Sequence, residues 1–455
     1  MALQDIQTIV FLMLENRSFD HALGYLSMAA ANPPLAVEGL RDDPAWRNAH
    51  ANIHAGVSYP LHELATGVQQ IIDPPHDHAA IALQIGVPAT MDGFVASYMT
   101  RQPPPPDPSV VMGHYTAAAV PTFDFLARNF AVCDHWFAAL PTGTQPNRLM
   151  AMGGASAILD NAAVFLPDQP LAYDWLTAQK VSWCAYQWGD FLPFFSLMPR
   201  LLPEIATSLA YDAVGGRGRF RRYARFREQW LGPEAMPSVI FVEPEYTDGP
   251  HAAPNDDHPP SGIAGGQAFV ADLYATLIAN PARWANTMLI VTYDEHGGFF
   301  DHVPPLRISA KAGGVAVAST GLRVPAFVVS PRVAPGVPFT DPLDHTSFLQ
   351  LLADRFTPGQ GYSAEVTARQ AQLGRLSTTL TQDPAAPLAA PLAAPVMAHG
   401  AVASAGRADS PGAARTASAF DRVAMKLAAD HPDLLGGAGW TRLADYLGNN
   451  GLSTL

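Results

Sequence analysis

Residues 286–302 read NTMLIVTYDEHGGFFDH, and this stretch decides the fold class. From Thr287 to Tyr293 the side chains are apolar or β-branched without polar alternation, as expected of a strand covered on both faces. Such strands belong to parallel sheets laid between helices, where ligands bind outside the carboxyl ends of the strands. This run stops at Asp294-Glu295-His296-Gly297-Gly298, so side chains capable of chemistry stand where a ligand is expected.

Similar runs occur at IQTIVFLML (6–14), FAVCD (130–134), VSWCAYQ (181–187), SVIFVEP (238–244) and VPAFVVSP (324–331). Longer helix-compatible stretches separate them, which predicts an α/β fold with a mostly parallel central sheet. The first run ends in Glu15-Asn16. The second leads through Asp134-His135-Trp136 to the turn PTGTQPNR at 141–148.

A chain of 455 residues exceeds the roughly 250–300 that one core supports, so a large domain with an appendage is expected. Residues 1–382 are expected to form the catalytic domain, 383–418 an Ala/Pro-rich linker or surface wrap, and 419–455 a short helical segment. RQPPPPDPS (101–109) reads as a stiff surface loop and KAGGVAVASTG (311–321) as a flexible one.

Hydrophobic residues make up 48% of the chain and charged residues 15%, which excludes disorder and helical repeats. A net charge of −13 without a basic stretch argues against nucleic acid and anionic membranes as partners, while a single phospholipid can still enter a pocket. The apolar run after Met1 is too short for stable membrane insertion and lacks a basic flank or cleavage site. The expected location is the cytoplasm, with a secreted mature form as the other reading. Cys133 and Cys184 read as buried thiols. Oligomeric state is not encoded in any feature of the sequence.

Three elements carry chemistry. A hydroxyl before Pro146, followed by an apolar helical run, places Thr144 near a helix N-terminus, where an anion such as a phosphoryl group is favoured. Taken alone, Thr144 reads as an N-cap. Glu15-Asn16 and Asp294-Glu295 offer hard oxygen ligands at one sheet edge, and such carboxylates repel unless a cation sits among them. That cation is expected to be one divalent metal ion, Ca²⁺, Mg²⁺ or Mn²⁺, with Zn²⁺ less natural unless a histidine joins. The third element is histidine beside Asp, Gly or Pro: His76 in IDPPHDH, His258 in NDDHPP, and His296 and His302 in DEHGGFFDH. Imidazolium can bind phosphate oxygens and protonate a leaving alkoxide. His54, His62 and His114 have no comparable setting.

The segments FLMLENRSFDHALGYL, DPPHDH, MDGFVASY, FLARNFAVCDHWF, PTGTQPNRL, PSVIFVEPEY, NDDHPP, TYDEHGGFFDHVPP, LRVPAFVVSP and DHTSFLQLLADRF, in order from about 6 to 357, resemble the phosphoesterase family. That family includes bacterial and plant non-specific phospholipases C and acid phosphatases. The resemblance implies an alkaline-phosphatase-like α/β/α fold with Thr144 as nucleophile. By motif, Glu15, Asn16, Asp294, Glu295 and Thr144 would hold the metal, while Asn147, His76, His258 and His296 would surround the phosphate. His258 or His296 would protonate the departing alcohol. The spacing of Thr144-Gln-Pro-Asn-Arg148 also resembles the sulfatase Cys/Ser-x-Pro-x-Arg turn. Threonine cannot supply the aldehyde hydrate of sulfatases, which leaves sulfate esters as a side activity at most. The expected function is a phospholipase C-like phosphodiesterase acting through a phosphothreonine, on a small phosphoester or a phospholipid. An acid phosphatase and a non-catalytic metal- and phosphate-binding protein are the alternatives.

Overall fold

The computed structural model describes residues 2–385 and Met425, excepting 65–66, 68–70, 163–164, 190–191, 214, 217 and 247–253. Its main sheet is built from Thr8–Leu14 (β1), Ala131–Val132 (β2), Trp183–Gln187 (β3), Phe220–Arg222 (β4), Val239–Glu243 (β5), Thr287–Tyr293 (β6) and Ala326–Val329 (β7). The spatial order is β2-β7-β6-β1-β5-β3-β4. From β6 to β4 all neighbours are parallel. Only β7 is reversed, pairing antiparallel with both β6 and β2.

Every position of β1 and of β6 is buried, as their unbroken apolar runs predict. Register and parity show what covers each face. Phe11 lies beside Phe241 and Ile290 in the sheet, so the three share a face. Helices Pro121–Asn129 (α1), Thr144–Gly153 (α2) and Thr346–Phe356 (α3) supply the cover. Phe348 of α3 stacks on Phe11 with ring centroids 4.1 Å apart. Tyr293 is paired with Leu14, an odd step from Phe11, and so faces the other way. There it meets Phe123 of α1, as does Phe327. Each large apolar side chain buried this way contributes roughly 1.5–3 kcal/mol.

The order of strands sets the site. β1 lies between β5 and β6, so its carboxyl end meets the loops that follow both. The chain that leaves β5 must cross β1 to enter β6, and a crevice opens at such a switch point.

One strand is added and two expectations are corrected. The edge strand Phe220–Arg222 has no apolar run to announce it. The stretch 311–321 is not simply a flexible loop, because Ala310–Ala312 and Val315–Val317 form a hairpin. Its turn residues Gly313 and Gly314 both have positive φ, 56° and 80°, the geometry that a two-residue hairpin turn needs. The apolar run 324–331 gives the reversed strand rather than a parallel one. Cys133 and Cys184 are free and buried. Burial pushes both thiols up, Cys184 to about 12. Apart from 383–385 and Met425, the linker and helical segment expected at 383–418 and 419–455 lie outside the described residues. Among the described residues no helix is long and apolar enough to cross a membrane.

Candidate active site

β1 ends at Leu14, and the next residues turn sharply. Asn16 adopts φ 61°, a left-handed conformation that asparagine tolerates better than most residues. Its N–H donates to Asp294 Oδ1 at 3.1 Å, which ties the end of β1 to the end of β6. Further backbone ties run from Asp294 N to Leu14 O, from Arg17 N to Glu295 O and from Glu15 N to Asp256 O. Gly297, at φ 65°, is needed because a Cβ there would lie 2.2 Å from Asn16 O. His345 fixes the strand end from behind: its Nε2 donates to Asp294 O at 2.6 Å, and Trp136 Nε1 donates to its Nδ1 at 3.1 Å.

Helix α2 brings the hydroxyl to this rim. Gly143 is its N-cap and Thr144 its first residue, so Thr144 is no mere capping side chain. Thr144 Oγ1 stands 3.5 Å from Asn16 Oδ1 and is almost fully buried. Arg148, one turn along the same face, reaches Glu15 at 3.1 Å and Asp294 at 3.3 Å. Tyr246 accepts a hydrogen bond from Arg148 Nη1 at 3.1 Å.

On the open side, His76 Nε2 lies 3.4 Å from the Asn16 amide and 4.0 Å from Glu295 Oε1. Its ring centroid is 5.9 Å from that of His258. Burial opposes a charge on His76, but Glu295 and Asp73 prevail and hold it above the ordinary histidine value. His258 is raised in the same way, by Asp73 and Glu15 against burial. Its Nδ1 is 2.5 Å from Pro259 O, and among the described residues Nε2 is the ring nitrogen without a hydrogen bond.

Residues 6–357 match the model of the Phosphoesterase family. The chain belongs to the Phosphoesterase family. It is 31% identical over 353 residues to non-specific phospholipase C6 of Arabidopsis thaliana, covering 73% of this chain and 62% of that protein. Phospholipase C A of Mycobacterium tuberculosis H37Rv is 31% identical over 405 residues, covering 78% and 73% respectively. This chain spans a little under two thirds of the length of the plant relatives it matches. Among solved structures, a lipoteichoic acid synthase of Listeria monocytogenes aligns over 80% of this chain and 76% of that one, at 10% identity and TM-score 0.37. A protein of the alkaline phosphatase superfamily from Vibrio parahaemolyticus aligns over 59% and 64%, at 12% identity and TM-score 0.31.

Glu15, Asn16, Thr144, Asp294, Glu295, His76 and His258 lie together at this rim. Two residues are engaged with other partners, although His296 Nδ1 lies 3.5 Å from Glu295 Oε2. Asn147 was expected beside the phosphate, yet its amide is occupied by the loop before α2. Its Oδ1 accepts from Leu140 N, and its Nδ2 donates to the carbonyls of Leu140, Thr142 and Gly143. It shapes the turn that presents Thr144. His296 is fully buried with Nε2 2.7 Å from Gln84 Oε1, and burial together with the charge of His76 lowers its pKa to about 3. A group so lowered is neutral at physiological pH and is a poor proton donor.

Sequence reasoning assigns no role to Asp73, Arg148 or Asp256, although each lies in a segment it singles out. Their proximity in sequence to His76, Thr144 and His258 is the signal that could have found them.

The residues present fit a divalent cation. Glu15, Asp256, Asp294 and Glu295 are buried together, and among the described residues Arg148 is the guanidinium that touches them. Among the described residues Glu295 Oε1 has no hydrogen-bond partner. Burial and the neighbouring Asp294 push Glu295 up to about 8, and burial also raises Glu15 and Asp256, reinforced by Asp294 and Glu15 respectively. An added positive charge reverses that logic. Beside them Asp73, His76 and His258 offer ligand atoms within 4.8 Å of one another, so imidazole nitrogen is within reach of the same rim. A second such group, Asp20, Asp301 and His302, is already bridged by Arg323.

Proposed function

We propose that this chain is a metal-dependent phosphoric-ester hydrolase of the phospholipase C type, a phosphodiesterase with Thr144 as its nucleophile. The observation that carries the proposal is the Thr144 hydroxyl at the start of α2, 3.5 Å from Asn16 on the carboxylate rim. The phospholipase C relatives point to a phospholipid or a smaller diester as substrate.

Glu15, Asn16, Asp294 and Glu295, with Thr144 Oγ1, would hold the cation. When bound, a divalent ion lowers the pKa of the Thr144 hydroxyl and neutralises a phosphoryl oxygen. The N-terminus of α2 and the His76 imidazolium orient the phosphoryl group. Thr144 Oγ1 forms the new bond to phosphorus while the bond to the departing alcohol breaks, and His258 Nε2 protonates that alcohol. The phosphothreonine still carries the second ester group. His258 then takes a proton from water, whose oxygen displaces Thr144 and releases a phosphate monoester. His258 suits this role better than His296, whose Nε2 is held by Gln84.

The test compares bis-p-nitrophenyl phosphate with p-nitrophenyl phosphate over a range of pH, with Ca²⁺, Mg²⁺, Mn²⁺ or EDTA. A metal-stimulated diesterase is expected. Predominant monoester turnover makes the protein an acid phosphatase instead, and no turnover with any metal makes it a binding protein.

A further inference from the structure

Next to the nucleophile lies a cavity of about 260 Å³. Gly143 lines it on one side and His76 on another, so it opens beside Thr144. Gly143 keeps this wall thin, since a Cβ there would come within 3.3 Å of His76 O and 3.5 Å of Asn161 Nδ2. The space is smaller than the roughly 300–1,000 Å³ of pockets for drug-sized ligands, so it suits one small group rather than a lipid chain.

The polar groups around it are only partly occupied. Arg101 is half-buried, and among the described residues its guanidinium meets only Asp73, at 3.9 Å, beyond hydrogen-bond reach. Asn161 Oδ1 accepts from Gln145 N at 2.9 Å, while its Nδ2 donates to none of the described residues. Asp77 uses Oδ1 to cap the helix that starts at His78, by accepting from Ala80 N. Asp160 uses Oδ1 to accept from His78 N and from Thr142 Oγ1. Each of these two carboxylates keeps its other oxygen as an acceptor. Donors and acceptors therefore alternate around a small space.

That pattern discriminates among head groups. A quaternary ammonium is held by aromatic faces, and the remaining lining residues are Pro74 and Pro75, with no Phe, Tyr or Trp. An anionic group would face Asp73, Asp77 and Asp160 together. A neutral hydroxyl both donates and accepts, so it satisfies carboxylates and guanidinium alike.

We propose that this cavity is the subsite for the ester group that stays on phosphorus, and that it takes a neutral polyhydroxylated head group, a cyclitol, sugar or glycerol, with Arg101 as the specificity-determining donor. The proposal rests on Thr144 being the reacting group, which fixes which side of the cavity faces phosphorus.

Binding of the expected products tests it without relying on turnover. Inositol 1-phosphate and phosphocholine are titrated calorimetrically into the full chain in buffer containing MnCl₂. Inositol 1-phosphate is expected to bind about tenfold more tightly, as for one charge-assisted hydrogen bond gained. In Arg101→Ala the two affinities should fall within about twofold of each other, and Arg101→Lys should keep part of the preference, because lysine retains the charge but not the planar fork. Thermal melts of each variant check that it folds. Equal or tighter binding of phosphocholine by the wild type, or an unchanged preference in a folded Arg101→Ala, overturns the proposal. Loss of turnover in Thr144→Ala tests the nucleophile separately, so the two ideas fail by different experiments.

Discussion

Two buried ionic clusters grow from the loops after β1 and β6, and they are built on opposite principles. In the first, Asp20 and Asp301 share Arg323, each at 2.9 Å, while His302 Nδ1 lies 2.6 Å from Asp20 Oδ2. Arg323 and His302 between them meet both carboxylates, with the partly exposed Glu38 3.2 Å from His302 Nε2. His302 and Arg323 outweigh burial to hold Asp20 below its ordinary pKa, while burial pushes Asp301 up to about 6. In the second, Glu15, Asp256, Asp294 and Glu295 gather around Arg148, and one oxygen of Glu295 has no hydrogen-bond partner among the described residues. There burial and mutual repulsion raise Glu15, Asp256 and Glu295. A fold needs the first kind of cluster to be closed. The second is left short of positive charge at the edge where a cation and a phosphoryl group can enter. Such under-satisfied groups mark function better than burial alone does.

The sharpest way to break this contrast is at Thr144. Thr144→Ala is expected to lower diester turnover by about 10³-fold or more, while the melting temperature stays near that of the wild type. Unchanged kcat in that variant would place the reacting group elsewhere. At the closed cluster the opposite outcome is expected. Arg323→Met should cost about 3–5 kcal/mol in denaturant unfolding, because it strands two buried carboxylates. A loss below about 1 kcal/mol, the scale of a surface pair, would show that the cluster is not closed as described.

Metal should act on one cluster alone. At a hundredfold excess over Kd, a bound ion adds about 2.7 kcal/mol to stability, and EDTA should remove that gain. Glu295→Gln should abolish the metal-dependent shift and leave the metal-free protein as stable as the wild type or more so, because burial already disfavours the charged carboxylate there. A metal shift that survives in Glu295→Gln would move the binding site away from this rim. The closed cluster should instead respond to pH. Burial opposes a charge on His302, but Asp20 raises its pKa from 6.5 to about 9. A raised histidine stabilises the fold fully below its unfolded pKa and loses that contribution as pH rises through the folded value. Stability from His302 should therefore decline between pH 6.5 and about 9 and be absent in His302→Gln, with or without metal.

Much of this was legible in the chain. The strands Thr8–Leu14 and Thr287–Tyr293 are buried because no charged residue interrupts them, and the residues just beyond each bring carboxylates to one rim. Asn147 and His296 show the limit. Both stand in segments rich in reactive side chains, yet the carbonyls of the 140–143 turn occupy one and Gln84 the other. Only packing reveals that a polar group already has partners. Likewise the reversed strand Ala326–Val329 is as apolar as its parallel neighbours, because burial on both faces demands the same side chains whichever way the strand runs.

The sequence by itself determined which segments are buried strands, where each one stops, and which reactive side chains follow, since these are consequences of local hydrophobic pattern and turn chemistry. Tertiary structure alone decided that β1 lies between β5 and β6, so that Glu15, Asp256 and Asp294 share one rim with Thr144. Strand order depends on contacts between residues hundreds of positions apart, and no local pattern carries that information.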